Sequence, residues 1–289
     1  MSDQAQKLRD LFSSKSLEDA DLKNNSCKII TVTSGKGGVG KSNIVVNLSL
    51  ALRKQGKRVL IFDGDLGMGN DDVLMGIVSK YTIYDCINRN LDIENIMIEG
   101  PLGVKLLPGG SGILRVEDLT EDERRVFLNK LENIKGYDYI IIDTSAGINK
   151  SVLAFIACCE ELIVVTNSEP TSITDAYSLL KAINHFKIKN CANVIVNKAD
   201  TLKEGNETFK KFSGAVEKFL GMKVNLLGVI REDSAISVAV KAQKPIVINN
   251  PRSNAAEDIL RIAQKIEGIK NNENESLKGM FVKLFNLFK

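Results

Sequence analysis

Lys28-Ile-Ile-Thr-Val-Thr-Ser-Gly-Lys-Gly-Gly-Val-Gly-Lys-Ser-Asn43 is the stretch whose reading decides the fold. Lys28–Thr33 is a short β-branched run, which by composition is a buried strand. Gly35-Lys36-Gly37-Gly38-Val39-Gly40-Lys41-Ser42 follows and fits G-x-x-x-x-G-K-[ST]. Ser42–Gln55 then carries apolar residues at helical spacing. Strand, glycine loop and helix form the context this pattern requires. Glycines let consecutive backbone N–H groups turn toward one anion, and the helix N-terminus adds partial positive charge. Lys41 is expected to bridge the β- and γ-phosphates of a nucleotide, and the Ser42 hydroxyl to ligate Mg²⁺. Asn43, in the first helical turn, is assigned to the same nucleotide site.

Outward from this loop, further strand-like runs follow: Arg58–Phe62, Val104–Leu107, Tyr139–Ile142, Leu162–Thr166, Asn193–Val196, Val224–Ile230 and Pro245–Ile248. Helical patterns alternate with them, clearest over Glu121–Ile134, Ser172–Phe186, Glu207–Phe219 and Ala255–Ile266. Alternation of this kind specifies βαβ units. The expected fold is α/β, a doubly wound and mainly parallel sheet with helices on both faces, of the P-loop NTPase type. One domain is expected over residues 27–268, preceded by a polar segment and linker over 1–26. A polar linker over 269–276 and a separate segment over 277–289 follow it.

Hydrophobic residues make up 44% of the 289, enough for a sizeable core, and net charge is only +3, so no bulk electrostatic case for nucleic acid arises. The five cysteines form no C-x-x-C pair, which argues against a disulfide framework or a zinc site. No apolar run reaches the ~18 residues that span a bilayer, and the polar start Met-Ser-Asp-Gln lacks a signal-peptide core. The expected location is cytoplasmic. The single histidine, His185, leaves histidine-based triads little support, and Cys158-Cys159 read as core.

Two strand ends carry acids. Val59–Phe62 runs into Asp63-Gly64-Asp65, and Tyr139–Ile142 into Asp143-Thr144. Carboxylates at the C-terminal ends of parallel strands face the ligand crevice of an open α/β sheet. Strand Asn193–Val196 ends in Asn197-Lys198-Ala199-Asp200, an N-K-x-D string that in GTPases selects guanine.

The loop, with its second lysine Lys36 directly after the first glycine, resembles the deviant Walker A of the MinD/ParA class of ATPases. The resemblance covers about residues 27–268. It implies an ATP-dependent homodimer in which Lys36 reaches the partner subunit's nucleotide. It assigns Asp143 and Asp63 to Mg²⁺ and Asp65 to orienting the attacking water. It turns Asn197 toward adenine, favouring ATP over GTP, with the loop Arg231-Glu232-Asp233, through Arg231 and Asp233, covering the base. The strings Glu169-Pro-Thr-Ser-Ile-Thr-Asp-Ala-Tyr177 and Asp3-Gln-Ala-Gln-Lys-Leu-Arg9 look most like the flagellar-placement branch, called FlhG, FleN or YlxH. That branch implies an FlhF-type GTPase as partner, activated through Gln4 and Arg9, and flagellar motor-switch components as further partners. Gly64 departs from the bulkier residues usual between the two aspartates. The alternatives are a MinD-type division-site ATPase, disfavoured by Asp3–Arg9, and a ParA-type partition ATPase, which would bind DNA in a salt-sensitive way.

On a helix, Leu277, Met280, Phe281, Leu284, Phe285 and Phe288 form one apolar stripe, with Lys278, Lys283 and Lys289 between them and no acid in the segment. The segment is too short to span a bilayer and suits the interface of an anionic membrane surface. The protein is therefore expected to be peripheral at the inner face of the cell membrane when ATP-bound. The competing expectation is a helix packed on the domain itself, and the two are compatible if the helix docks in the monomer.

Overall fold

The computed structural model describes residues 27–65, 69–89, 91–109, 119–268 and 276–286. The chain runs β1 (Lys28–Ser34), α1 (Lys41–Lys54), β2 (Val59–Gly64), α2 (Asp71–Met75), α3 (Ile83–Asn88), α4 (Ile93–Ile96), β3 (Ile98–Glu99) and β4 (Lys105–Leu107). It continues through α5 (Glu121–Leu131), β5 (Tyr139–Thr144), α6 (Lys150–Cys158), β6 (Glu161–Asn167), α7 (Pro170–His185), β7 (Cys191–Ala199) and α8 (Leu202–Leu220). The last elements are β8 (Lys223–Arg231), α9 (Ser234–Lys241), α10 (Ile246–Asn249), α11 (Asn254–Gly268) and α12 (Leu277–Asn286).

The described strands form one sheet of order β3-β4-β2-β5-β1-β6-β7-β8, parallel except for the β3–β4 pair at one edge. Side chains alternate across it, as strand geometry requires. Ile29, Leu60, Phe62, Ile140 and Ile142 enter the core on one face. Ile30, Val32, Val59, Ile61 and Ile141 enter the core on the other, against α1 and α11. Because both faces are covered, the strands read as continuous apolar runs, and the doubly wound α/β expectation holds. From β1 the chain crosses to β2 past the position β5 later fills, and β6 is added on the other side of β1. The order therefore reverses at β1, which opens a crevice at the C-terminal ends of β1, β2 and β5.

One expected strand is corrected. Pro245–Ile248 is not a strand: α10 occupies Ile246–Asn249, with Pro245 immediately before it at φ −52°. Its turn is fixed from outside, because Asn47 Oδ1 accepts the Val247 N–H at 3.1 Å and Lys54 Nζ donates to the Val247 carbonyl at 2.5 Å. A short apolar run fits a buried helical turn as well as a strand. The short helices α2, α3 and α4, together with α6, α9 and the antiparallel edge strand β3, are additions the periodicity did not single out.

Helix α12 shows the expected stripe, and the stripe has a partner inside the molecule. Leu277, Met280, Phe281, Leu284 and Phe285 are all buried, packed over α5 and α6. Phe281 sits 5.0 Å from the Phe127 ring, 5.2 Å from Phe62 and 6.1 Å from Phe155, measured between ring centroids. At the rim Lys278 pairs with Glu132, and Arg124 lies over the Phe285 ring. Fully burying a side chain of this size contributes about 1.5–3 kcal/mol, so the seat is a substantial one. Phe288 and the linker residues 269–275 lie outside the described residues.

Phe155 is the ring shared by the sheet and this helix, since it also stands 5.8 Å from Phe62. Phe155→Ala should cost about 3–5 kcal/mol in urea unfolding. It should also increase hydrogen exchange in α12 beyond the rest of the domain. Unchanged exchange in α12 would show that the helix is held without this ring.

Candidate nucleotide site

The glycine loop is held from three sides. Its first turn is fixed by Ser34, whose hydroxyl donates to the Lys36 carbonyl at 3.0 Å, and by Gly147 N–H donating to the Ser34 carbonyl at 2.8 Å. Gly40 stands at the start of α1 with φ +91°, where a Cβ would overlap the Asn197 amide, so no other residue fits. Lys198 Nζ closes the third side, donating to the Gly38 carbonyl at 3.0 Å. Helix α1 has no side-chain cap and no acid in its first turn, which leaves its first N–H groups and partial positive charge for an anion.

Beneath the loop lie the strand-end acids. Asp63 and Asp143 are direct neighbours in the β2–β5 register, and both are buried. Lys41 Nζ donates to Asp143 Oδ1, the Ser42 hydroxyl donates to the same carboxylate, and the Asp65 N–H donates to Asp63 Oδ1 at 3.1 Å. Burial, with the Asp143 charge second, pushes the Asp63 carboxyl up to about 8. Burial also raises Asp143, against the pull of Lys41. Asp71, given no role from the sequence, is here too: it is fully buried at the start of α2 and within hydrogen-bonding reach of Asp143. Burial first, and then Asp143 and Asp63, hold its carboxyl well above the usual range.

The donor set suits Mg²⁺. Ser42, Asp63 and Asp143 offer hard oxygens, and the proton that burial holds on Asp63 is one a divalent cation can displace. Among the described residues no cluster of three His, Cys, Asp or Glu has metal-caging geometry. Mg²⁺ at nucleotide sites takes one or two carboxylates and completes its octahedron with water and phosphate, so this arrangement fits that ion.

Lys36 points away from the other lysine. Its Nζ donates to Glu169 Oε2 and to Thr171 Oγ1, both at 3.1 Å, with the side chain 39% exposed. This bond from Lys36 holds the Glu169 carboxyl below its ordinary value. Glu169 precedes α7, and its place in the sequence gave no sign of this contact.

Beside the loop opens a cavity of about 440 Å³, bordered by Gly40, Asn43 and Asn197 and walled by Ile230, Ile236 and Val240. Asn197 Nδ2 donates to the Val39 carbonyl at 2.7 Å, while its buried Oδ1 has no partner among the described residues and is a vacant acceptor. Asp200, the acid of N-K-x-D, is exposed and does not line the cavity. Arg231 and Asp233, assigned to the base from sequence, are engaged elsewhere. Arg231 forms a two-pronged pair with Asp258 at 2.8 and 3.0 Å. Asp233 accepts the N–H groups of Ala235 and Ala255 at 2.9 and 3.2 Å. They pin the loop, and Glu232 between them lines the cavity. Gln4 and Arg9 lie outside the described residues.

A family profile described as an AAA domain matches residues 27–196. The chain belongs to the MinD/ParA class of P-loop ATPases. The class relatives include the antiactivator FleN of Pseudomonas aeruginosa, 36% identical, with the match covering 83% of this chain and 86% of FleN. Another is the flagellum site-determining protein YlxH of Helicobacter pylori, 32% identical over 98% of each chain. Among solved structures, the septum site-determining protein MinD of Pyrococcus horikoshii, complexed with Mg-ADP, superposes with a TM-score of 0.66 at 28% identity, over 86% of this chain and all of that one. Membership in this class places the Gly35–Ser42 loop and the Asp63–Asp143 pair in an ATPase fold.

The raised carboxyl of Asp63 has a measurable sign. In the unfolded chain an aspartate titrates near 3.9, and in the fold near 8. Between these values the native state holds a proton that the unfolded chain has given up, so stability falls as pH rises. The Tm of metal- and nucleotide-free protein should therefore drop from pH 5 to pH 8, and Asp63→Asn should flatten that slope. A slope unchanged in the variant would place the buried proton elsewhere.

Proposed function

We propose that the chain binds and hydrolyses ATP as a dimerisation-switched regulator of flagellar number and placement at the inner face of the cell membrane. The observation that carries this reading is the division between the two loop lysines. Lys41 is buried on its own Asp143, in line with the phosphate cradle. Lys36, five residues earlier in the same loop, is partly exposed and bonded to Glu169 and Thr171 instead of to the strand-end acids, which leaves it available to a second molecule's phosphates. Release from Glu169 frees it to neutralise charge on the partner's transferring phosphoryl group.

The base is adenine in this reading. The vacant Asn197 Oδ1 complements an exocyclic amino group, and Asp200 stands too far out for the paired N–H contacts that guanine selection needs. Mg²⁺, held by Ser42, Asp63 and Asp143, supplies charge neutralisation on the β- and γ-phosphates. Asp65 orients the attacking water, and the buried floor of apolar strand residues keeps other water away. The names of the relatives FleN and YlxH support a flagellar role over septum placement. Gln4 and Arg9 are assigned to stimulation by an FlhF-type GTPase, and motor-switch components are the downstream partners.

Helix α12 is the membrane element, through Met280, Phe281, Leu284, Phe285 and Phe288. Docked on α5 and α6 it is sequestered, and ATP-driven dimerisation favours its release to an anionic bilayer, where two copies act together. No described helix is long and apolar enough to cross a membrane, so this contact is a surface one.

Light scattering after chromatography tests the switch. The natural chain should dimerise with Mg-ATP, Asp65→Ala should accumulate as a stable ATP dimer, and Lys41→Ala should remain monomeric. A chain that stays monomeric in Asp65→Ala with ATP refutes dimer switching. A chain truncated after Ser276 should keep ATPase activity and lose binding to anionic vesicles. Retained vesicle binding removes α12 from the account, and salt-sensitive DNA binding by the ATP dimer would favour a partition role.

A further inference from the structure

Asp71 is a carboxylate without a structural reason to be where it is. It is the first residue of α2, a position where acids are common because they face water and the helix dipole. Here the side chain is 0% exposed, and the group within hydrogen-bonding reach of it is another carboxyl, that of Asp143, with no amide, hydroxyl or cationic donor on either oxygen among the described residues. Leaving such a group buried and unpaired is among the costliest choices a fold makes. The chain does not place it in an apolar wall. A Cβ on Gly69 would overlap the Asp63 carboxylate, so the backbone at Gly69 runs directly over that group, and Asp71 two residues later enters the same cleft. Three carboxylates, Asp63, Asp71 and Asp143, thus surround one lysine, Lys41.

Lys41 cannot serve the triphosphate and its own strand-end carboxylate equally. When it turns to the phosphates, the three acids are left facing one another. A divalent cation with its shell of polarised water is the group that satisfies all of them. Direct ligation by the three is not available, since no described trio has metal-caging geometry. Mg²⁺ keeps several waters even when bound, and each of those waters has protons to donate.

We propose that Asp71 is a positioning residue for the divalent cation, accepting a hydrogen bond from a metal-bound water and thereby tightening the site beyond what Ser42, Asp63 and Asp143 give. This inference rests on the magnesium–nucleotide reading above. It adds a residue from α2, outside the strand ends, to the groups that set metal affinity. Partners that orient bound water or ligands in this way change metal affinity by about 10–100-fold.

The test uses Mn²⁺ as the probe, read by the loss of its free-ion electron paramagnetic resonance signal in the presence of ADP. The full chain is compared with Asp71→Asn and Asp71→Leu. Each variant should weaken Mn²⁺ about 10–100-fold while metal-free ADP affinity, measured in chelator, stays within twofold. The Leu variant should also melt higher than the natural chain without metal, because an unpaired buried carboxyl has been removed. Equal Mn²⁺ affinity in all three overturns the proposal, as does an equal loss of metal-free ADP affinity, which would mark a role in shape alone. If the Leu variant does not fold, Asp71→Asn carries the comparison. A natural chain that holds neither Mn²⁺ nor ADP refutes the nucleotide reading itself, an outcome distinct from failure of Asp71.

Discussion

Negative charge buried at the ends of β2 and β5 is the constraint around which the rest of the molecule is arranged. Asp63 and Asp143 stand side by side because the β2–β5 register places them there, and the sheet's apolar interior denies them water. Two carboxyls so placed cannot both ionise without a cation. In the free protein Lys41 supplies one, reaching down from the first turn of α1. The geometry of the glycine loop follows from that requirement. The loop must bring a lysine over the strand ends while leaving its amides free, and the left-handed turn at Gly40 achieves both at once.

The cavity beside the loop shows how few groups are needed once the phosphates are fixed. Apolar walls from β8, α9 and α11 provide area, and a single amide provides direction. Asn197 uses its two ends differently, one donating to the loop backbone and one left open. In the proposed reading the same residue braces the cradle and reads the base, so a change there would disturb both.

How much of this was legible in the sequence depends on how local the cause is. The loop and its flanking strand and helix are set by neighbours in the chain, and the glycines announce them. Asp63, Asp65 and Asp143 were legible because a strand end is visible in composition and its direction follows from parallel winding. Glu169 and Asp71 were not, because each owes its place to packing between segments distant in sequence. Asp71 carried no role in the sequence, and only its complete burial sets it apart. For the same reason the pairing of Arg231 was not legible: its partner Asp258 lies on α11, beyond any local pattern. Pro245–Ile248 was misread as a strand because four apolar residues carry too little periodicity to tell one backbone from another. The stripe on α12 was plain in the sequence, whereas its present partner, a bed of rings from α5, α6 and β2, was not.

That bed of rings gives β2 two kinds of neighbour on adjacent residues. Phe62 faces Phe281, and Asp63, the next residue, faces the catalytic crevice. Any lipid surface competing for α12 has to outbid a pocket already filled, so the helix's apparent affinity for a bilayer is the difference between two partitioning free energies. A seat stronger by about 1.4 kcal/mol would dilute that affinity tenfold. On the proposed membrane role, β2 would thus carry any change at the crevice to the seat that α12 leaves for a bilayer.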